Sequence, residues 1–135
     1  MITPPDLELW LTAHLRARLK GLGRPVEVSN KEPKDYAACA PLVVVRCDGG
    51  PAVPPLQWDW QVGVNVLAGT GQHDKPARDL ARIALAVLTD VPAILTAVGS
   101  PITAVEGAAG PTSVDDPQDV ARAYFVVNYR VIGTW

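Results

Sequence analysis

The chain has 135 residues, 48% hydrophobic and 19% charged, with a formal net charge of −2. That length supports one domain (1–135) around one core, and that apolar fraction excludes a disordered chain. The slightly acidic balance gives no electrostatic basis for a dedicated nucleic-acid binder. No apolar run reaches the about 20 residues that a membrane-spanning helix needs. The opening Met-Ile-Thr-Pro-Pro-Asp lacks the basic and apolar regions of a signal peptide. The expectation is synthesis in a cytoplasm, where Cys39 and Cys47 stay reduced.

Thirteen prolines divide the chain and leave residues 6–24, 56–75, 77–91 and 118–135 uncut. Proline is rare inside helices and central strands, so these windows should hold the main elements. A first helix is expected over residues 4–20, with Thr3 as N-cap, Pro4 at the first position and Asp6 in an acidic first turn. Leu7, Trp10, Leu11, Leu15 and Leu19 follow helical spacing, with Arg18 at the edge of the stripe. Gly21 and Gly23 end it and Pro25 blocks a restart. Arg16, Arg18, Lys20 and Arg24 gather near its end, where cations suit the negative pole of the helix dipole.

Val26, Glu27 and Val28 form a short strand candidate, and residues 29–41 are polar and read as a surface loop. The run Leu-Val-Val-Val-Arg-Cys at 42–47 is bounded by Pro41 and by Asp48-Gly49-Gly50, which predicts a strand. Residues 49–55 hold three prolines and two glycines and predict a loop or a wide hairpin turn. Residues 56–68 alternate most strictly. Leu56, Trp58, Trp60, Val62, Val64 and Val66 point one way, and Gln57, Asp59, Gln61, Gly63 and Asn65 point the other. A slip of one residue would bury Asp59 and expose two tryptophans, so the register is strongly set.

Gly69-Thr70-Gly71 ends that strand. Asp74 is placed to cap a second helix, with Pro76 in its first turn and a stripe of Ala77, Leu80, Ala81, Ala84, Val87 and Leu88. Val91-Pro92 stops it. A short helical turn is expected at 94–98, a strand at 102–106 and a turn-rich stretch at 107–116. The last strand, 120–132, sets Ala123, Phe125, Val127, Tyr129 and Val131 on one face. Tyr124, Val126, Asn128, Arg130 and Ile132 fall on the other. The expected architecture is α+β: a single antiparallel sheet of about four strands with two helices packed on one face.

No chemical constellation emerges from spacing. Gly69-Thr70-Gly71 lacks the spacing of a phosphate loop and reads as a plain turn. Cys39, His14 and Asp35 could be drawn as a nucleophile set, but nothing in their spacing requires it. Asp115, Asp116 and Asp119 lack the alternating oxygen ligands of a calcium loop. Two cysteines without neighbouring histidines do not make a zinc site. Trp10, Trp58 and Trp60 fall on core stripes, while Trp135 stays open between a loose end and an anchor to a neighbouring molecule. No catalytic, cofactor-binding or metal-binding residue is assigned.

The order and content of elements nevertheless resemble the tail terminator (tail completion) proteins of long-tailed bacteriophages. The features that carry the resemblance span nearly the whole chain. They are the helix ending Leu19-Lys20-Gly21, the strand Pro41-Leu42-Val43-Val44-Val45-Arg46 before a Gly-Gly turn, and the alternating strand from Trp58 to Leu67. The helix with Ala77, Leu80-Ala81 and Ala84 follows, then the Gly110-Pro111 turn, Asp115-Asp116, and a final strand from Ala121-Arg122-Ala123-Tyr124 into Val126-Val127-Asn128-Tyr129-Arg130-Val131. Head–tail connector proteins of the phage neck share small α+β folds of this kind. A small ligand-binding domain is a remoter alternative.

The resemblance implies a structural virion protein at the head-proximal end of the tail, made in the host bacterial cytoplasm. It implies a homo-oligomeric ring, usually a hexamer, that caps the tail tube and joins tail to head. Its partners would be other copies of itself, the tail-tube protein and a head–tail connector protein. DNA would pass through the lumen without sequence-specific binding, and no enzyme activity, cofactor or membrane is implied. Ring residues follow from the physics of the chain alone. Asp59, Gln61, Asn128 and Arg130 on the outer sheet face, with Trp135, are the candidates, against the plain alternative that they are solvated polar residues.

Overall fold

In a computed structural model, residues 1–33, 40–115 and 119–135 are described. Helix α1 (Leu7–Gly21) starts later than the sequence predicts, because Asp6 takes the cap: its carboxylate accepts the Leu9 N–H at 3.1 Å. Thr3, the expected cap, instead exchanges two backbone hydrogen bonds with Thr134, of 2.7 and 2.9 Å. Leu7, Leu11, Leu15 and Leu19 are all buried, so the predicted stripe is the packed one. The helix closes where the Leu22, Gly23 and Arg24 amides bond back to Arg18, Lys20 and Leu19.

The fold is α+β, but the sheet is larger than expected. Strands β1 (Glu27–Ser29), β2 (Leu42–Gly49), β3 (Ala52–Val53), β4 (Gln57–Leu67), β5 (Ile102–Val114) and β6 (Arg122–Ile132) form one sheet in the order β1-β2-β4-β6-β5, with β3 paired to β4. It is mixed, because β1 runs parallel to β2 while the other pairings are antiparallel. β3 lies inside the proline-rich stretch expected to be a loop or a wide hairpin turn.

Strand β5 extends far past residue 106, through the segment predicted to be turns. Register shifts against β6 fall at Thr103, Glu106 and Gly110-Pro111, and β5 is an edge strand, where a missing N–H leaves no gap in the sheet. Gly110 has φ 107, and a Cβ there would sit 2.9 Å from the Phe125 Cβ, so this bend requires glycine.

Helix α2 (Lys75–Leu88) buries all six residues of its predicted stripe. Ala81 and Ala84 join the core with Val62, Val64, Val66, Phe125 and Val127, while Ala77 packs with Ala68 and Ala121. α1 and α2 cover the same sheet face, as expected. α2 ends at Leu88, before Val91-Pro92, and a third helix, α3 (Val91–Thr96), stands near the short helical turn expected at 94–98. It has Pro92 in its first turn and adds Ile94 to that core. Trp58 and Trp60 pack half-buried against this core, ring centroids 6.2 Å apart. The other sheet face is not uniformly polar: Leu42, Val44, Leu67 and Val120 form a second buried cluster at one end of it. Among the described residues, no helix is long and apolar enough to cross a membrane.

Candidate assembly site on the outer sheet face

The β4–β6 register sets Asp59 directly opposite Arg130 and Gln61 directly opposite Asn128. Alternation turns all four side chains away from the helices. The Arg130 guanidinium grips Asp59 in a fork, Nε to Oδ1 at 2.8 Å and Nη2 to Oδ2 at 3.1 Å. Gln61 and Asn128 are exposed beside this pair.

A fifth residue joins them that alternation did not find. Glu106 falls at the register shift between Val105 and Gly107 on β5, and its carboxylate comes to 3.7 Å from Arg130 Nε. A bulge re-aims a side chain without leaving a trace in the hydrophobic period, so only an acidic residue in a turn-flanked segment hinted at it. The hydrogen bond from Arg130 holds the Asp59 carboxyl below the usual range, helped by its contact with Glu106. The same contact with Asp59, then desolvation and like-charge repulsion, pushes the Glu106 carboxyl up. Asp59, Gln61, Glu106, Asn128 and the turn at 49–51 line a depression of about 350 Å³. The turn is anchored to β4 where the Asp59 N–H donates to the Pro51 carbonyl at 2.9 Å.

Toward the other end of this face, Tyr124 lies over Gly63: a Cβ on Gly63 would be 2.7 Å from the phenol oxygen. Beyond it, Arg122 donates to Asn65 and pairs with Glu32. Trp135 does not join the group. It lies past the end of β6 and is 91% exposed.

The remaining sequence candidates separate. The Gly71 amide of the glycine turn donates to the Asp119 carboxylate at 3.1 Å, which occupies the loop N–H that a phosphate would need. Asp115 is exposed, while Asp116, Asp35 and Cys39 lie outside the described residues. His14 stacks on Trp10. Cys47 is a free, half-buried thiol, pushed up by burial, and its amide donates to Glu8. Among the described residues, no group of three or more His, Cys, Asp or Glu could hold a metal ion. The outer face therefore offers donors and acceptors fixed by backbone register, an arrangement suited to contact with another protein surface. No protein-family model matches the chain, and no curated protein matches it.

Proposed function

We propose that this chain is a structural subunit of a long-tailed phage virion, a tail terminator that closes into a ring on the tail tube and joins tail to head. One observation carries the assembly part of this reading: register aligns Asp59, Arg130, Gln61 and Asn128, with Glu106, in one polar patch on the sheet face that no helix among the described residues covers. The phage part rests on the order of elements along the chain. In this reading the ring is a hexamer, its partners are the tail-tube protein and a head–tail connector protein, and DNA crosses its lumen without base readout.

Arg130 is the residue to test, because it is the cation of the patch and fold stability depends little on a partly exposed ion pair. Arg130→Glu frees Asp59 from its fork and sets three carboxylates side by side, which breaks the fixed geometry of the patch. Light scattering and negative-stain microscopy should then show a lower assembled mass than a six-fold wild-type ring. An unchanged mass removes Arg130 from the interface. A wild-type ring of another order favours the neck-connector reading, and a tight monomer at all concentrations removes the ring altogether.

A further inference from the structure

We infer that the outer sheet face of one copy docks onto the basic groove between the end of α1 and the outer side of α2 on a second copy. The inference rests on the ring-forming reading and names the two halves of its joint.

The sheet half carries an excess of negative charge. Asp59 and Glu106 share the single guanidinium of Arg130. The other arginines of this face are engaged elsewhere, Arg46 with Asp48 at 2.9 Å and Arg122 with Glu32. The Glu106 carboxyl is pushed up by its contact with Asp59, then by desolvation and the Asp59 charge, and a cation from a second copy would oppose that displacement.

The helical half carries the opposite excess. Arg24, Asp79, Arg82, Ile83 and Ala86 line a groove of about 370 Å³. Arg82 reaches Asp79 only at 3.7 Å, while Lys75 holds that carboxylate at 2.6 Å. Arg24 and nearby Lys20 are exposed, and neither forms an ion pair among the described residues. Their neighbours differ: Arg18 is held by Asp90 and Arg16 by the Val28 carbonyl. Ile83 and the 56% exposed Leu22 add apolar area beside these cations, the mixture that a non-obligate interface uses.

The positions of the halves matter as much as their signs. The helices cover one face of the sheet and the acidic depression lies on the other, so the patches are on opposite sides of the two-layer sandwich. Each copy is then a donor on one side and an acceptor on the other. Such head-to-tail contacts continue from copy to copy and close into a ring when the rotation allows.

The test uses Glu106→Arg and Arg24→Glu in the full chain, with assembly followed by sedimentation and circular dichroism as the check of folding. Each single variant should raise the concentration needed for assembly at least about tenfold. A one-to-one mixture of the two should recover it, because alternating copies restore an acid–base joint at every contact, and six is an even number. If either reversal disturbs folding, Glu106→Gln and Arg24→Gln replace it, with weaker assembly expected and a smaller salt dependence. A wild-type ring that both variants form equally well overturns this joint and leaves the ring reading standing. A wild type that stays monomeric overturns both, and an open filament lost in the single variants supports the joint while overturning closure.

Discussion

The phenol of Tyr129, in the middle of β6, donates a 2.6 Å hydrogen bond to the carbonyl of Leu88, the last residue of α2. Both residues are fully buried. A helix end leaves carbonyls without intrahelical partners, and here the sheet supplies one. Tyr129→Phe keeps the ring and strands that carbonyl in the core. The expected loss of unfolding free energy is about 1–3 kcal/mol, read by urea denaturation at neutral pH. A variant as stable as wild type would show that the carbonyl finds another donor.

The same phenol sets an alkaline limit. Burial pushes its ionisation far above the usual tyrosine range. The fold therefore favours the neutral form, and the stability it contributes is complete below the unfolded value of about pH 10. Above that pH the unfolded chain releases its proton first, and stability falls as pH rises toward the folded value. Between pH 9 and 11, wild type should lose stability more steeply than Tyr129→Phe, by up to about 1.4 kcal/mol per pH unit. Parallel slopes would rule out this residue as the cause.

The elements that the sequence made legible are those with a full, unbroken period. α2 buries the predicted stripe residue for residue, β6 keeps its alternation over eleven residues, and β4 holds an unbroken register against it. The missed pieces lack that signal. β3 is only two residues long, and β5 beyond residue 106 follows register shifts that move residues between faces, whereas the short strand expected at 26–28 is present as β1. The same contrast governs the candidate site. Asp59, Gln61, Asn128 and Arg130 were readable because they sit on intact strands, whereas Glu106 arrives by a bulge. Trp135, chosen as a terminal aromatic after a strand, lies outside the group and is exposed.

Gly63 and Tyr124 offer a test of packing on the outer face. A methyl group on Gly63 would meet the phenol oxygen at 2.7 Å, and Tyr124 must swing away to admit it. Gly63→Ala should therefore cost about 1 kcal/mol in the wild-type background. In a Tyr124→Ala background the obstacle is gone, and alanine should be neutral or stabilising in the strand because it restricts the unfolded chain. A double-mutant cycle by urea denaturation reads this reversal. Equal costs in both backgrounds would place the strain in the backbone and not against Tyr124.

His14 provides the acid-side counterpart. Its ring stacks on Trp10, centroids 4.7 Å apart and planes 13° from parallel, and its Nε2 is buried without a hydrogen-bond partner among the described residues. Desolvation lowers its ionisation, the charge of Arg18 lowers it further, and Asp90 opposes them. The fold thus prefers the neutral imidazole, while the unfolded chain binds its proton near the ordinary value of about 6.5. This contribution is complete above that pH and is lost as pH falls toward the lower folded value. His14→Phe retains a ring against Trp10 and removes the titration. Between pH 7 and 5 wild type should lose stability that the variant keeps. The loss is a fraction of the about 1.4 kcal/mol per pH unit available to one proton, because water still reaches part of the ring. The Asp90 carboxyl, held low by Arg18, does not confuse the measurement, since its contribution is lost only below the ordinary carboxylate range. Superimposable pH profiles for wild type and His14→Phe would show that the imidazole takes up its proton in the folded chain at no cost.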